Sequence, residues 1–317
     1  MLTDITLQIN LSPGDVNYAD LTVPALVSQH EDIKNRLLVV DCCRPQKSKL
    51  VNPDIKFPVE KFNTNVKKII AICQRLLQQN IVSDVYLIKP DDPLIDAMSK
   101  KYLNGLYKTT HSAGGTANMA YWLGLDLPDT RYVIHYDADI LLWQKPGFSW
   151  AKETIKYMAE NDNVVMGVPR FCPPIAGNTN LQSLHEGRPS TDHLNYWTND
   201  WFSTRCFLVD KQKIARYLPF VQGKLKLELL ARRYGKRAFP LDPEIVMFKS
   251  MAPRGAMRLM LKSDNAWITH PANKSEQFVD NLGKFLTIIS QGHFPEVQRG
   301  IEDVDMDGWL DYLKVPN

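Results

Sequence analysis

The chain has 317 residues, 44% of them hydrophobic, and a formal charge of only +3. That is enough apolar material for one large domain, and too small a charge to indicate nucleic acid as a partner. No run of about 18 apolar residues occurs, so no membrane-spanning helix is expected. The opening MLTDITLQINLSPGD has no basic region leading into an apolar run, so a secretory leader is not expected either. Five cysteines, an odd number with no CxxC spacing, indicate neither a disulfide framework nor a zinc site. They read as small buried residues in a reducing cytoplasm.

In chain order, Ile5–Ile9 alternates with the period of a strand, and Leu37–Asp41 is an apolar run ending in a carboxylate. Val66–Leu77 carries apolar residues at helix spacing, Val85–Ile88 reads as a strand, and Pro93–Leu103 and Asn118–Leu125 as helices. Tyr132–Tyr136 is the next strand, Trp150–Ala159 a helix and Val164–Val168 a strand. From Cys172 to Asn199 the chain is rich in Pro, Gly, Asn, Ser and His and reads as a long functional loop. Phe207–Val209 and Trp267–Thr269 read as strands, Lys211–Leu218 and Ser275–Ile289 as helices, with a last helix in the stretch to Leu313. Strands alternating with helices predict a parallel sheet covered on both faces, with ligands beyond the carboxyl ends of the strands.

The strongest local feature is Asp137-Ala138-Asp139, directly after the run YVIHY. Residues i and i+2 of an extended chain point to one side, so both carboxylates can face one ion. Oxygen ligands suit a hard divalent cation, Mn²⁺ or Mg²⁺, which keeps places for phosphate oxygens. The same triplet opens haloacid-dehalogenase-like phosphatases, where the first Asp is a nucleophile. That family has Thr or Val two places after the second Asp, where this chain has Leu141.

The stretch His111-Ser-Ala-Gly-Gly-Thr-Ala-Asn118, followed by a helix, a strand and the Asp-Ala-Asp triplet, resembles the GT-A glycosyltransferases, especially the inverting family 2. The resemblance runs from about Ile5 to Pro271. It implies a GT-A α/β fold with a mixed, mostly parallel central sheet and flanking helices. It also implies one domain: a nucleotide-sugar half over residues 1–140, an acceptor half over 141–274 and a helical extension over 275–317. The donor implied is a UDP- or GDP-sugar, and the acceptor a carbohydrate, a lipid-linked molecule or a small molecule.

By the same resemblance, Asn10 and Ser12 lie in the first nucleotide loop and Asp41 reads the base. Gly114, Gly115 and Asn118 approach the donor, and Asp137, Ala138 and Asp139 meet its diphosphate. Arg44 is a candidate phosphate contact. Leu241-Asp-Pro-Glu-Ile-Val246 resembles the motif that supplies the general base, with Asp242 and Glu244 both candidates. His270 matches a late position where some members supply a third metal ligand, beside Asp137 and Asp139.

In the long loop, His185, Glu186, Arg188, Trp197 and Trp201 mix aromatic and polar character as sugar sites do. A basic stretch including Lys224, Lys226, Arg232, Arg233, Lys236 and Arg237 is either a solvated face or a contact for an anionic membrane. The expected location is the cytoplasm, with peripheral membrane contact left open. A non-catalytic carbohydrate-binding protein of the same fold and a sugar-nucleotide pyrophosphorylase are the other readings, the latter without its Gly-rich N-terminal signature here.

Overall fold

A computed structural model describes residues 2–175, 191–235 and 237–314. Its strands are β1 (Leu2–Leu11), β2 (Ile33–Asp41), β3 (Asp84–Ile88), β4 (Tyr132–Asp137), β5 (Leu141–Gln144), β6 (Val164–Val168), β7 (Thr191–Asp192), β8 (Tyr196–Asn199), β9 (Cys206–Asp210), β10 (Met257–Leu261) and β11 (Ala266–Thr269). The helices are α1 (Ala19–Ser28), α2 (Pro53–Lys56), α3 (Val59–Gln78), α4 (Leu94–Leu103), α5 (Asn118–Asp126), α6 (Trp150–Glu160), α7 (Lys211–Ile214), α8 (Gly223–Tyr234), α9 (Pro243–Met251), α10 (Glu276–Ser290) and α11 (Met306–Lys314).

Nine strands form one sheet in the order β3-β2-β1-β4-β9-β6-β10-β8-β7, and β5 pairs with β11 apart from it. Within the sheet all strands except β8 and β9 run one way. The sheet is therefore mixed and mostly parallel, with helices along it, as the resemblance implies. Its central strands are continuous apolar runs because both faces are covered: Leu37 to Val40 and Val133 to Ile134 are all buried.

The chain leaves β1 toward β2 on one side and returns to pair β4 on the other. The crevice where strand order reverses is where such sheets bind ligands. Register fixes what stands there: Asn10 lies opposite Asp137, and Leu11 opposite Val40, so Ser12 is level with Asp41.

Several elements lie outside the sequence expectations, each for a physical reason. α1 holds Pro24 inside it, which reads as a helix breaker. β8 lies in the polar stretch read as loop. β10 carries Arg258, buried with its guanidinium 5.1 Å from the Phe171 ring centre, so a charge interrupts the apolar signal of a central strand. Lys224, Lys226, Arg232 and Arg233 of the basic stretch lie on the helix α8, which buries Leu225 and Leu229. His185, Glu186, Arg188 and Lys236 lie outside the described residues.

Candidate active site

Two cavities adjoin at the carboxyl ends of β1, β2 and β4, sharing Ser12 and Ala117 in their walls. The wider, about 350 Å³, ends at Asp41, His111 and Gly115, with Phe57, Pro58 and Lys61 on its outer wall. The smaller, about 170 Å³, is lined by Asn10, Asp15, Tyr121, Asp137, Ala138, Asp139 and Lys274, among others.

Asp137 is the last residue of β4, so its position is set by the strand ladder. Its backbone N–H donates to the Arg205 carbonyl at 2.8 Å. The Tyr121 hydroxyl donates to its carboxylate at 2.8 Å to Oδ1 and 3.0 Å to Oδ2, and His135 Nε2 lies 3.3 Å from Oδ1. Asp139 is paired with the Lys274 ammonium at 2.5 Å. Asp15 adds a third carboxylate, accepting from the Ser12 N–H at 2.6 Å, from the Ser12 hydroxyl at 2.9 Å and from the Tyr18 hydroxyl. Burial pushes Asp15 up to about 6, against the hydrogen bonds from Tyr18 and Ser12, and the charge of Asp139 pushes the same way. Burial would depress Lys274, but the surrounding carboxylates, Asp139 first, outweigh it and raise the ammonium above its ordinary value.

Three carboxylates thus face one ammonium, and the cavity carries an excess of negative charge. Such a cavity repels an anion unless a cation offsets its carboxylates. Asp137 and Asp139 offer hard oxygen donors two residues apart, the chemistry a divalent ion takes.

At the other end Asp41 is 1% exposed. Its Oδ1 accepts from the Cys43 N–H at 2.8 Å, while Oδ2 is buried with no hydrogen-bond partner. His111 Nε2 is 3.6 Å from Oδ2, but burial lowers His111 to about 4, so the imidazole is neutral at pH 7 and supplies no counter-charge. Burial also pushes Asp41 up to about 7, against the hydrogen bonds from Cys43. An unmatched acceptor at the end of a cavity is costly unless a ligand N–H completes it.

Gly115 stands beside this wall at φ +89°, and a Cβ there would lie 3.3 Å from Val51 Cγ2. We expect Gly115→Ala to cost about 1–2 kcal/mol from the left-handed backbone alone, read as a lowered Tm with weaker nucleotide binding. An unchanged melt would show that the loop relaxes freely.

The other sequence candidates divide. Gly114 sits in the same loop, where a Cβ would make only an ordinary contact. Asn118 is fully buried and its Nδ2 donates to the Leu241 carbonyl at 2.9 Å; the Ala113 N–H likewise donates to the Pro240 carbonyl at 2.9 Å. These bonds hold Asp242, the N-cap of α9, beside the loop of Gly114 and Gly115. Asp242 Oδ1 is buried without a hydrogen-bond partner, and Glu244 lies half-buried in the first turn of α9.

Two expectations need correction. Arg44 does not line either cavity: its Nε donates to the Phe57 carbonyl at 2.8 Å and it pairs with Asp54 at 2.6 Å, bracing the outer wall. His270 is not in the cavity with Asp137 and Asp139 either. Its Nε2 faces Asp303 at 3.2 Å and Glu302 at 3.4 Å, beside Arg205. Among the described residues no three His, Cys, Asp or Glu side chains converge to hold an ion.

Trp197 is 4% exposed, with the Arg170 and Lys262 cations 5.4 and 5.2 Å from its ring centre, so it packs rather than presents a face; Trp201 lies tilted at 45° to the Phe248 ring with its Nε1 buried and unpartnered. Asp15, Tyr121 and Lys274 were not singled out by sequence. The Ser12–Asp15 capping spacing is a signal for the first; Lys274, far along the chain, carries none.

No family model and no curated protein matches the chain. Solved structures do. The galactosyltransferase LgtC in complex with donor and acceptor sugar analogues is similar over 93% of this chain and 99% of its own, at 10% identity and a TM-score of 0.40. GalNAc-T7 with UDP, GalNAc and Mn²⁺ is similar over 85% of this chain at 9% identity and a TM-score of 0.41, and the chain spans 44% of its length. The mannosyltransferase Ktr4p from S. cerevisiae in complex with GDP is similar over 78% of this chain and 66% of its own, at 13% identity and a TM-score of 0.36. These are distant likenesses of fold.

Proposed function

We propose that this protein is a metal-dependent glycosyltransferase that moves a sugar from a UDP- or GDP-sugar to an acceptor hydroxyl. The observation that carries the reading is the pair of adjoining cavities at the switch point. One ends at an unmatched carboxylate oxygen suited to a base N–H; the other is a carboxylate-rich chamber of about 170 Å³.

Asp137 and Asp139 would hold Mn²⁺ or Mg²⁺, which when bound offsets the charge that builds on the departing diphosphate. Tyr121 and His135 orient Asp137, and Lys274 would turn from Asp139 to the phosphate oxygens. Asp242 or Glu244 takes the acceptor hydroxyl proton as its oxygen bonds to the anomeric carbon and the bond to the diphosphate breaks. Inversion is proposed on the family 2 resemblance, and the acceptor is a carbohydrate, a lipid-linked molecule or a small molecule.

Calorimetric titration of UDP and of GDP, with and without Mn²⁺, tests the reading. Expected is binding of one nucleotide, strengthened by the metal at least tenfold. Failure of both nucleotides to bind folded protein in Mn²⁺ would overturn it.

A further inference from the structure

The chain is nearly neutral as a whole, yet its positive charge is concentrated. Residues 44–62 hold five Lys or Arg against two Asp or Glu, and residues 222–237 hold six against one, while the whole chain is only +3. The remainder is therefore net acidic. Most acids in these segments are already matched: Asp54 pairs with Arg44 at 2.6 Å, and Glu228 with Arg232 and Lys249 at 2.9 Å each, leaving Glu60. Lys47, Lys49, Lys224 and Lys226 take part in no ion pair among the described residues.

The same two segments expose large apolar side chains. In the first segment Leu50 is 65% and Ile55 78% exposed; on α8, Leu227 is 68% and Tyr234 80% exposed. Leu227, Ala231 and Tyr234 recur at helix spacing on the side opposite the buried Leu225 and Leu229. α8 is thus apolar on two sides, one against the body and one outward, with cations between.

The segments are also tied together. The Ser48 hydroxyl donates to the Ala113 carbonyl at 2.6 Å, and the Ala113 N–H donates to Pro240, three residues past Arg237. The loop around Ala113 is thus bonded to the first segment at Ser48 and to the chain just past the second segment at Pro240.

We infer that these two segments form a docking surface for an anionic lipid bilayer. Cations gain from the negative surface potential, and exposed aliphatic and tyrosyl side chains gain from the headgroup boundary. A polyanionic chain such as a nucleic acid would satisfy the lysines but leave Leu50, Ile55 and Leu227 in water, which is why the bilayer is the better match. Among the described residues no helix is long and apolar enough to cross a membrane, so the contact is superficial. Docking is a binding property and holds whether or not the transfer reading does.

The test is flotation of the full chain with phosphatidylcholine vesicles, with and without phosphatidylserine. Expected is partition onto the phosphatidylserine vesicles only, reversed by high salt. Lys47→Gln and Lys224→Gln should each lower it about fivefold, and Leu227→Ser with Tyr234→Ser should lower it further, with unchanged thermal melts. No partition onto phosphatidylserine vesicles would overturn the inference. So would tighter binding to heparin that ignores Leu227→Ser and Tyr234→Ser, since that behaviour belongs to a polyanion site.

Discussion

Asp139→Ala should remove glycosyl transfer by about two to three orders of magnitude while leaving the protein folded. The side chain is only 16% exposed, yet its single strong partner is Lys274, which is itself 46% exposed and can turn to water. Little of the core rests on that pair, so the Tm should move by no more than a few degrees. What the substitution removes is one of two carboxylates able to hold a divalent ion against the donor. Mn²⁺-dependent strengthening of nucleotide binding should vanish with it, and Lys274 should bind metal-free nucleotide somewhat better, being released. A well-folded, fully active Asp139→Ala variant would remove the metal assignment. A misfolded one would be replaced by Asp139→Asn, which keeps the shape and an acceptor for Lys274.

Asp41→Asn is expected to pull binding and stability in opposite directions. The buried carboxyl is raised from its ordinary 3.8 to about 7, so the folded state takes up a proton more readily than the unfolded one between those values. The ionised group therefore destabilises the unliganded protein above about pH 7, and that penalty fades as pH falls toward 4. Replacing it with an amide should stabilise the protein at pH 8, by roughly 1–3 kcal/mol, with the gain shrinking by pH 5. The Cys43 N–H keeps its acceptor, and the amide N–H faces the neutral His111 nitrogen. Nucleotide affinity should drop about 10- to 100-fold, because two N–H donors then face each other at the base. In the parent protein, affinity should fall as pH drops below 7. Denaturation at pH 5 and 8, with calorimetry on the same samples, checks both halves. A variant that is less stable at pH 8, or one that binds as well as the parent, would refute the reading of Asp41.

The strand–helix alternation and the crevice were legible because Leu37–Asp41 and Tyr132–Tyr136 are apolar runs that end abruptly in acids. A buried central strand leaves that mark, since polar residues inside it are few and each needs a buried partner, as His135 has in Gln8. β10 and α1 were not legible, since Arg258 and Pro24 contradict the local pattern and only tertiary packing accommodates them. Within the site, Asp41, Asp137 and Asp139 could be found because the first two end their strands and the third stands two residues beyond. Lys274 could not, because its partner Asp139 lies far back along the chain. Arg44 shows the converse: proximity in sequence to Asp41 suggested a phosphate contact, yet its Nε goes to the Phe57 carbonyl and its Nη2 to Asp54.

The turn that carries Lys274 follows β11, and it is strapped down from beyond. The His270 N–H donates to the Glu302 carbonyl, the Val304 N–H donates back to the His270 carbonyl, and the Thr269 hydroxyl donates to Glu302. Groups drawn from near residue 10 and from beyond residue 300 must therefore meet before the carboxylate chamber has its ammonium. During synthesis the β1–β4 region emerges first, and the chamber lacks its ammonium until Lys274 and the residues near 302–304 that hold its turn arrive. Competence is a late, non-local event in the folding of this chain.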